Sequence, residues 1–212
     1  MKQILVYGDS LTWGIIPNTR QRLPFECRWP GVMEQGLSDA GHSVRVIEDC
    51  LNGRRTVFED PFKPGRNGLV GLEQRMEVNS PLALVILMLG TNDFQSVHDN
   101  NAWSASQGIG ALVGAMRRAP IEPGMPVPEI LIVAPPPIGT PKGSVAPKFE
   151  GAQDRCAGLA TAYEQVAREL GCRFFDAGSV TPASTQAGIN LDSDRHQKLG
   201  RALCREVAAA LG

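Results

Sequence analysis

The chain has 212 residues, 42% hydrophobic and 20% charged, a composition that supports a buried core and excludes a disordered chain. Its 21 basic and 22 acidic residues leave a formal net charge of −1, so no positive field draws nucleic acid or an anionic membrane surface. No run approaches the roughly 20 apolar residues of a membrane span, and no charged leader with a cleavage site precedes the first strand, so a single cytoplasmic domain over residues 1–212 is expected.

In chain order, strands and helices alternate. The run Ile4-Leu5-Val6-Tyr7-Gly8 is rich in strand formers and stops at glycine, with Asp9 and Ser10 next and a second glycine at 14. A polar loop, Pro17 to Pro24, leads to a helix from about Trp29 to Ala40, its apolar face formed by Val32, Met33, Gly36 and Leu37 and its end capped by Gly41. Ser43 to Glu48 is the second strand, and Leu51-Asn52-Gly53-Arg54-Arg55-Thr56 is the turn at its end. After a polar loop to Asn67 comes a short helix to about Val78. Leu82 to Leu89 is the most apolar stretch, expected as a central strand buried on both faces, and it ends in Gly90-Thr91-Asn92-Asp93.

A helix from about Asn101 to Arg118 precedes the strand Ile130 to Ala134. Prolines 135, 136 and 137 then open a stiff loop to about Lys148, followed by one long helix to Leu170. A fifth strand spans about Arg173 to Asp176, and a last helix starts near Asp192, a suitable amino-terminal cap. Five strands with intervening helices and no repeat predict an α/β fold, a three-layer α/β/α sandwich on a five-stranded parallel sheet of the flavodoxin-like kind. Five cysteines, at 27, 50, 156, 172 and 204, form no C-x-x-C pair and read as reduced core thiols. Three scattered histidines offer no metal-ligand spacing, and no cofactor is expected.

Parallel strands deliver ligand-binding residues at their carboxyl ends, so the chemistry is sought there. Ser10 follows strand one. Gly53 sits in a tight turn after strand two, where its backbone N–H can point into a cleft, and Asn92 follows the central strand with a side-chain amide to donate. A nucleophile flanked by such donors is what acyl transfer requires. Each residue also has a plainer reading: Ser10 as a helix cap, Asn92 and Asp93 as a turn and cap pair, Gly53 as a residue permitting positive φ. Asp9 is expected to fix the turn rather than to act as an acid. Trp13, Phe25, Trp29 and Phe94 flank these loops as pocket walls or as core.

The segment Gly8-Asp9-Ser10-Leu11-Thr12-Trp13-Gly14 resembles the GDSL block of the SGNH hydrolases, a family of serine esterases, lipases and acyltransferases, and Gly90-Thr91-Asn92-Asp93 is similar to that family's G-x-N-D block. With Val46 to Arg54 and Phe175 to Val180 the likeness extends over essentially the whole chain, towards the compact arylesterase and acyltransferase branch. It implies Ser10 as nucleophile, with Ser10 N–H, Gly53 N–H and Asn92 holding the oxyanion. The family's Asp-x-x-His block falls on Ala187-Gly188-Ile189-Asn190, which puts Ala187 in the aspartate slot and Asn190 in the histidine slot. Neither can serve as or orient a base. His196, near Asp192 and Asp194, is a conceivable displaced base, but it lies a turn inside the last helix beside Leu199 and Leu203 and is expected to be packed; His98 lies in a loop beyond Asn92.

Three functions follow in order of support. The first is hydrolysis of a small-molecule ester, with acyl transfer to alcohols a family-level implication, in a chain impaired at 187 and 190. The second is a catalytically dead domain that binds an acylated ligand or protein partner. The third, a nucleotide or signalling module, is disfavoured because no glycine-rich phosphate loop is present. Neither nucleic acid nor membrane is an expected partner; a homo-oligomer is, by family resemblance. The loops 17–25 and 135–148 are the candidates for substrate selection and subunit contact.

Overall fold

The computed structural model describes residues 1–19 and 21–212. Five parallel strands, β1 (Lys2–Gly8), β2 (Val44–Cys50), β3 (Leu84–Met88), β4 (Glu129–Ala134) and β5 (Arg173–Asp176), form one sheet in the order β2-β1-β3-β4-β5. Register is set by pairs such as Ile4 with Val46 and Leu84. The expected central strand is central: every residue of β3 is buried, as its unbroken Leu-Val-Ile-Leu-Met run demands.

Helices cover both faces. α1 (Ser10–Trp13) is a single turn, α2 (Trp29–Asp39) packs on the long α7 (Ser193–Leu211), and α3 (Leu72–Asn79), α4 (Ala102–Arg118) and α6 (Leu159–Glu169) pack in sequence on each other, with α5 (Ala152–Arg155) a short turn before α6. The expected single helix to Leu170 is therefore broken: residues 156–158 turn the chain before Leu159 restarts the helix. Asp192 stands at the amino terminus of α7, but its carboxylate accepts no N–H of the helix's first turn, being engaged by Ser184 and Arg195 instead. No helix among the described residues is long and apolar enough to cross a membrane. Of the five thiols, all unpaired, only Cys156 is buried; the rest are half-buried at the core's margin.

Sheet order fixes the position of the site. The chain leaves β1 for β2 on one side and returns to β3 on the other, so a crevice opens at the carboxyl ends of β1 and β3. Ser10 follows β1 by two residues and Asn92 follows β3 by four.

Candidate active site

Asp9 sets up the first turn. Its carboxylate accepts the Leu11 N–H at 2.9 Å, so Asp9, and not Ser10, caps α1. That leaves Ser10 at the first helical position with its hydroxyl free of any hydrogen-bond partner among the described residues, at the wall of a cavity of about 380 Å³. Gly53, Asn92 and Asn190 line the same cavity, with Asn52, Trp13, Ile15, Val145, Phe149 and Ile189. Four of the five expected site residues are therefore brought together. Ala187 is buried and does not line the cavity; its carbonyl accepts the Lys142 N–H at 3.1 Å.

Gly53 has φ +84°, a left-handed turn residue as read from the sequence, and its N–H has no backbone acceptor among the described residues. Ser10 N–H likewise has no acceptor among the described residues, so two residues lining the cleft carry unengaged backbone donors. Asn92 is more constrained than the sequence suggests. Its side-chain nitrogen donates to Asp9 Oδ2 at 2.9 Å and to the Arg54 carbonyl at 3.2 Å, and its Oδ1 accepts from Gln95 Nε2 at 2.8 Å. Both amide protons are thus in use, and a ligand oxyanion would take over the longer one.

The two carboxylates beneath the site are sealed from water. Burial pushes Asp9 up to about 7 against the pull of the Leu11 and Asn92 donors and the Arg54 charge, and pushes Asp93 up to about 7 against Thr56, which donates to it from both backbone and hydroxyl. Buried Arg55 runs alongside, ion-paired with Asp60 at 3.2 Å and contacting Gln95 and His98. Against the burial that raises it, the Phe62 N–H and the Arg55 cation hold Asp60 below the usual carboxylate range.

Asn190 sits on a loop fastened at several points. Ser184 N–H donates to the Asn190 carbonyl at 2.7 Å, Gly188 N–H to the Ser184 carbonyl at 2.8 Å, and Ser184 Oγ to Asp192 at 2.7 Å. Gly188 has φ +77°, and a Cβ there would stand 2.2 Å from the Thr140 carbonyl oxygen, so only glycine fits. The Asn190 carboxamide has no hydrogen-bond partner among the described residues and faces the cleft.

His196 is not near this cleft. It is fully buried against α2, its Nδ1 accepting the Trp29 N–H at 3.3 Å, and burial lowers it to about 4. His98 contacts Arg55 and the Glu59 carbonyl instead of lining the cavity. Trp29 and Phe94 are core, whereas Trp13 is a wall. Of the two candidate loops, the second supplies Val145 and Lys148, while the first contributes nothing to the lining among its described residues; residue 20 lies outside them. Phe149, Ile189, Asp60 and Lys63 were not singled out in the sequence. Phe149 falls where a helix is expected, and Asp60 and Lys63 lie in a loop tied to Arg55 through the Arg55–Asp60 pair.

Residues 6–198 match the model of the GDSL-like lipase/acylhydrolase family, and the chain belongs to that family. A carbohydrate acetylesterase from Sinorhizobium meliloti is 34% identical, with 99% of each chain covered and a TM-score of 0.92. The native M. smegmatis aryl esterase is 35% identical over 100% of both chains, with a TM-score of 0.93. An arylesterase from Vibrio mimicus is 33% identical over 92 residues, 43% of this chain and 38% of that protein's length. The fold and scaffold are those of an esterase-family hydrolase.

Proposed function

We propose that the cleft binds small acyl esters in the manner of an arylesterase or acetylesterase, with Ser10 as the acyl acceptor, and that turnover is impaired because Ala187 and Asn190 stand where the family carries its Asp and His. The observation that carries this reading is the convergence of Ser10, the Gly53 N–H, Asn92 and Asn190 on one cavity at the switch point of the sheet.

In the reaction the Ser10 oxygen adds to the ester carbonyl, and the carbonyl oxygen takes up charge between Ser10 N–H, Gly53 N–H and Asn92. The acyl group then leaves Ser10 for water or an alcohol. Both halves need a base that takes the attacking proton and returns it to the departing oxygen. A carboxamide at 190 has no basicity near neutral pH, and alanine at 187 orients nothing. What remains is the binding and oxyanion contribution, which in triad enzymes still gives about 10³–10⁴ over water. The second reading, a binding domain for an acylated ligand, is favoured by the Asn190 carboxamide, which offers both a donor and an acceptor to the cleft.

The test is covalent labelling with diethyl p-nitrophenyl phosphate followed by peptide mass measurement. The Ala187→Asp/Asn190→His variant is expected to take up one diethylphosphoryl group on the peptide containing Ser10, and the unchanged chain to label far more slowly at the same residue. Labelling elsewhere, or none in either protein, would overturn the assignment of Ser10.

A further inference from the structure

One side of the cleft is cationic although the chain as a whole is slightly acidic. Lys63 and Lys148 line the same cavity as Ser10 and Asn190, and Arg66 stands beside Gly53 with its Nε donating to the Asn52 carbonyl at 3.0 Å. Among the described residues none of these three cations is ion-paired. Among the described residues the one carboxylate lining this wall is Asp60, and its charge is shared: Arg55 pairs with it at 3.2 Å, the Phe62 N–H donates to it at 3.0 Å, and Lys148 also feels it. Lys148 feels the crowding. Burial lowers it, Asp60 opposes the shift, and Arg55, Lys63 and Arg66 push it further down. Several cations that share a single carboxylate are left under-compensated, and an anion placed among them relieves the repulsion.

We propose that the ligand of this cleft is an anionic ester, one whose acyl or alcohol portion carries a carboxylate seated between Lys63 and Lys148 while its ester carbonyl lies at Ser10. The remainder of the cavity is what such a ligand needs. Trp13, Val145, Phe149 and Ile189 give apolar contact to the carbon chain, and Ser10, Asn52, Gly53 and Asn190 are neutral polar groups that select a position without repelling a charge. The inference rests on the ester-binding reading above and names the substrate class for it.

Two probes of similar reach separate the charge from the ester: mono(4-nitrophenyl) glutarate, which carries a carboxylate, and 4-nitrophenyl butyrate, which does not. In the Ala187→Asp/Asn190→His background the ratio of kcat/KM for the two esters is expected to favour the glutarate, and Lys63→Gln with Lys148→Gln to lower that ratio about tenfold. Reversing the charge with Lys148→Glu is expected to lower it further, and raising the salt concentration to shrink the preference. A ratio indifferent to the lysines and to salt would overturn the proposal while leaving the ester reading in place. Should the base-restored chain hydrolyse neither ester, the ester reading fails on its own. Binding of monophenyl glutarate against phenyl butyrate to the unchanged chain, followed by calorimetry, then decides the charge question: preference for the glutarate lost on Lys63→Gln/Lys148→Gln supports it, and equal binding refutes it.

Discussion

Asn92 donates its side-chain N–H to the buried carboxylate of Asp9 at 2.9 Å, tying the turn after β3 to the residue before Ser10. This bond joins the Ser10 turn to the G-x-N-D turn across the crevice. Asp9→Asn places a second amide nitrogen, or a carbonyl that abandons Leu11, against Asn92. The expected outcome is a loss of about 1–3 kcal/mol in urea unfolding, accompanied in the base-restored background by a lower kcat with both esters. Unchanged stability and rate would show that the bond aligns nothing.

Asn92→Ala removes the proposed oxyanion donor and leaves Asp9 Oδ2 without its partner. In the base-restored background kcat is expected to fall about 10²–10³-fold with a small effect on KM, as for loss of one oxyanion donor elsewhere. A change confined to KM would mean that Asn92 binds the ground state only.

Asp93 links pH to stability in a stated direction. Burial raises it in the folded chain to about 7 from 3.8, so its contribution is fully present below the unfolded value and is lost as pH rises through about 7. Asp93→Asn keeps an acceptor for Thr56 N–H and offers its amide to the Thr56 hydroxyl. It is expected to be more stable than the unchanged chain at pH 8, on the order of 1–3 kcal/mol, with the advantage vanishing towards pH 4. The same difference at both pH values would place its cause elsewhere than in ionisation.

His196 acts in the opposite direction. Its folded value of about 4 lies below 6.5, so the stability it contributes is present above 6.5 and is lost as pH falls through about 4. His196→Ala is expected to lower Tm by several degrees through the cavity it leaves, and to leave the pH–rate profile of the base-restored chain in place. Were the unchanged chain to hydrolyse esters and lose that activity on His196→Ala, the base would lie in α7 after all.

Gly188→Ala tests the loop that carries Asn190. Positive φ and a Cβ 2.2 Å from the Thr140 carbonyl act together, so a loss of roughly 2–4 kcal/mol is expected, measured by denaturant unfolding. Tolerance of alanine there would mean that the 184–192 loop is not held as described.

The candidate site is legible where a local motif coincides with a strand end. An apolar run stopping at Gly8, and another stopping at Gly90, place Ser10 and Asn92 at the same sheet edge, and the alternation of elements supplies the order that brings them together. Asp9 was readable as a turn former because its side chain bonds two residues ahead. What stayed hidden depends on partners distant in sequence. Arg55 is buried because Asp60, Gln95 and His98 surround it, and no periodicity marks residues 55–98 as one network. Phe149 was lost to an expected helix, since the proline-rich stretch before it gives no sign that the chain turns back over the cleft. The use of both Asn92 protons by Asp9 and Arg54 likewise needs the tertiary fold to be seen.

The central claim is that this is an esterase scaffold lacking its base, and hydrolysis of p-nitrophenyl acetate addresses it most directly. The Ala187→Asp/Asn190→His variant is expected to exceed the unchanged chain by about 10³-fold or more in kcat/KM, and the gain to disappear when Ser10→Ala is added. A rate in the unchanged chain equal to that of the variant, or a variant rate that survives Ser10→Ala, would contradict it.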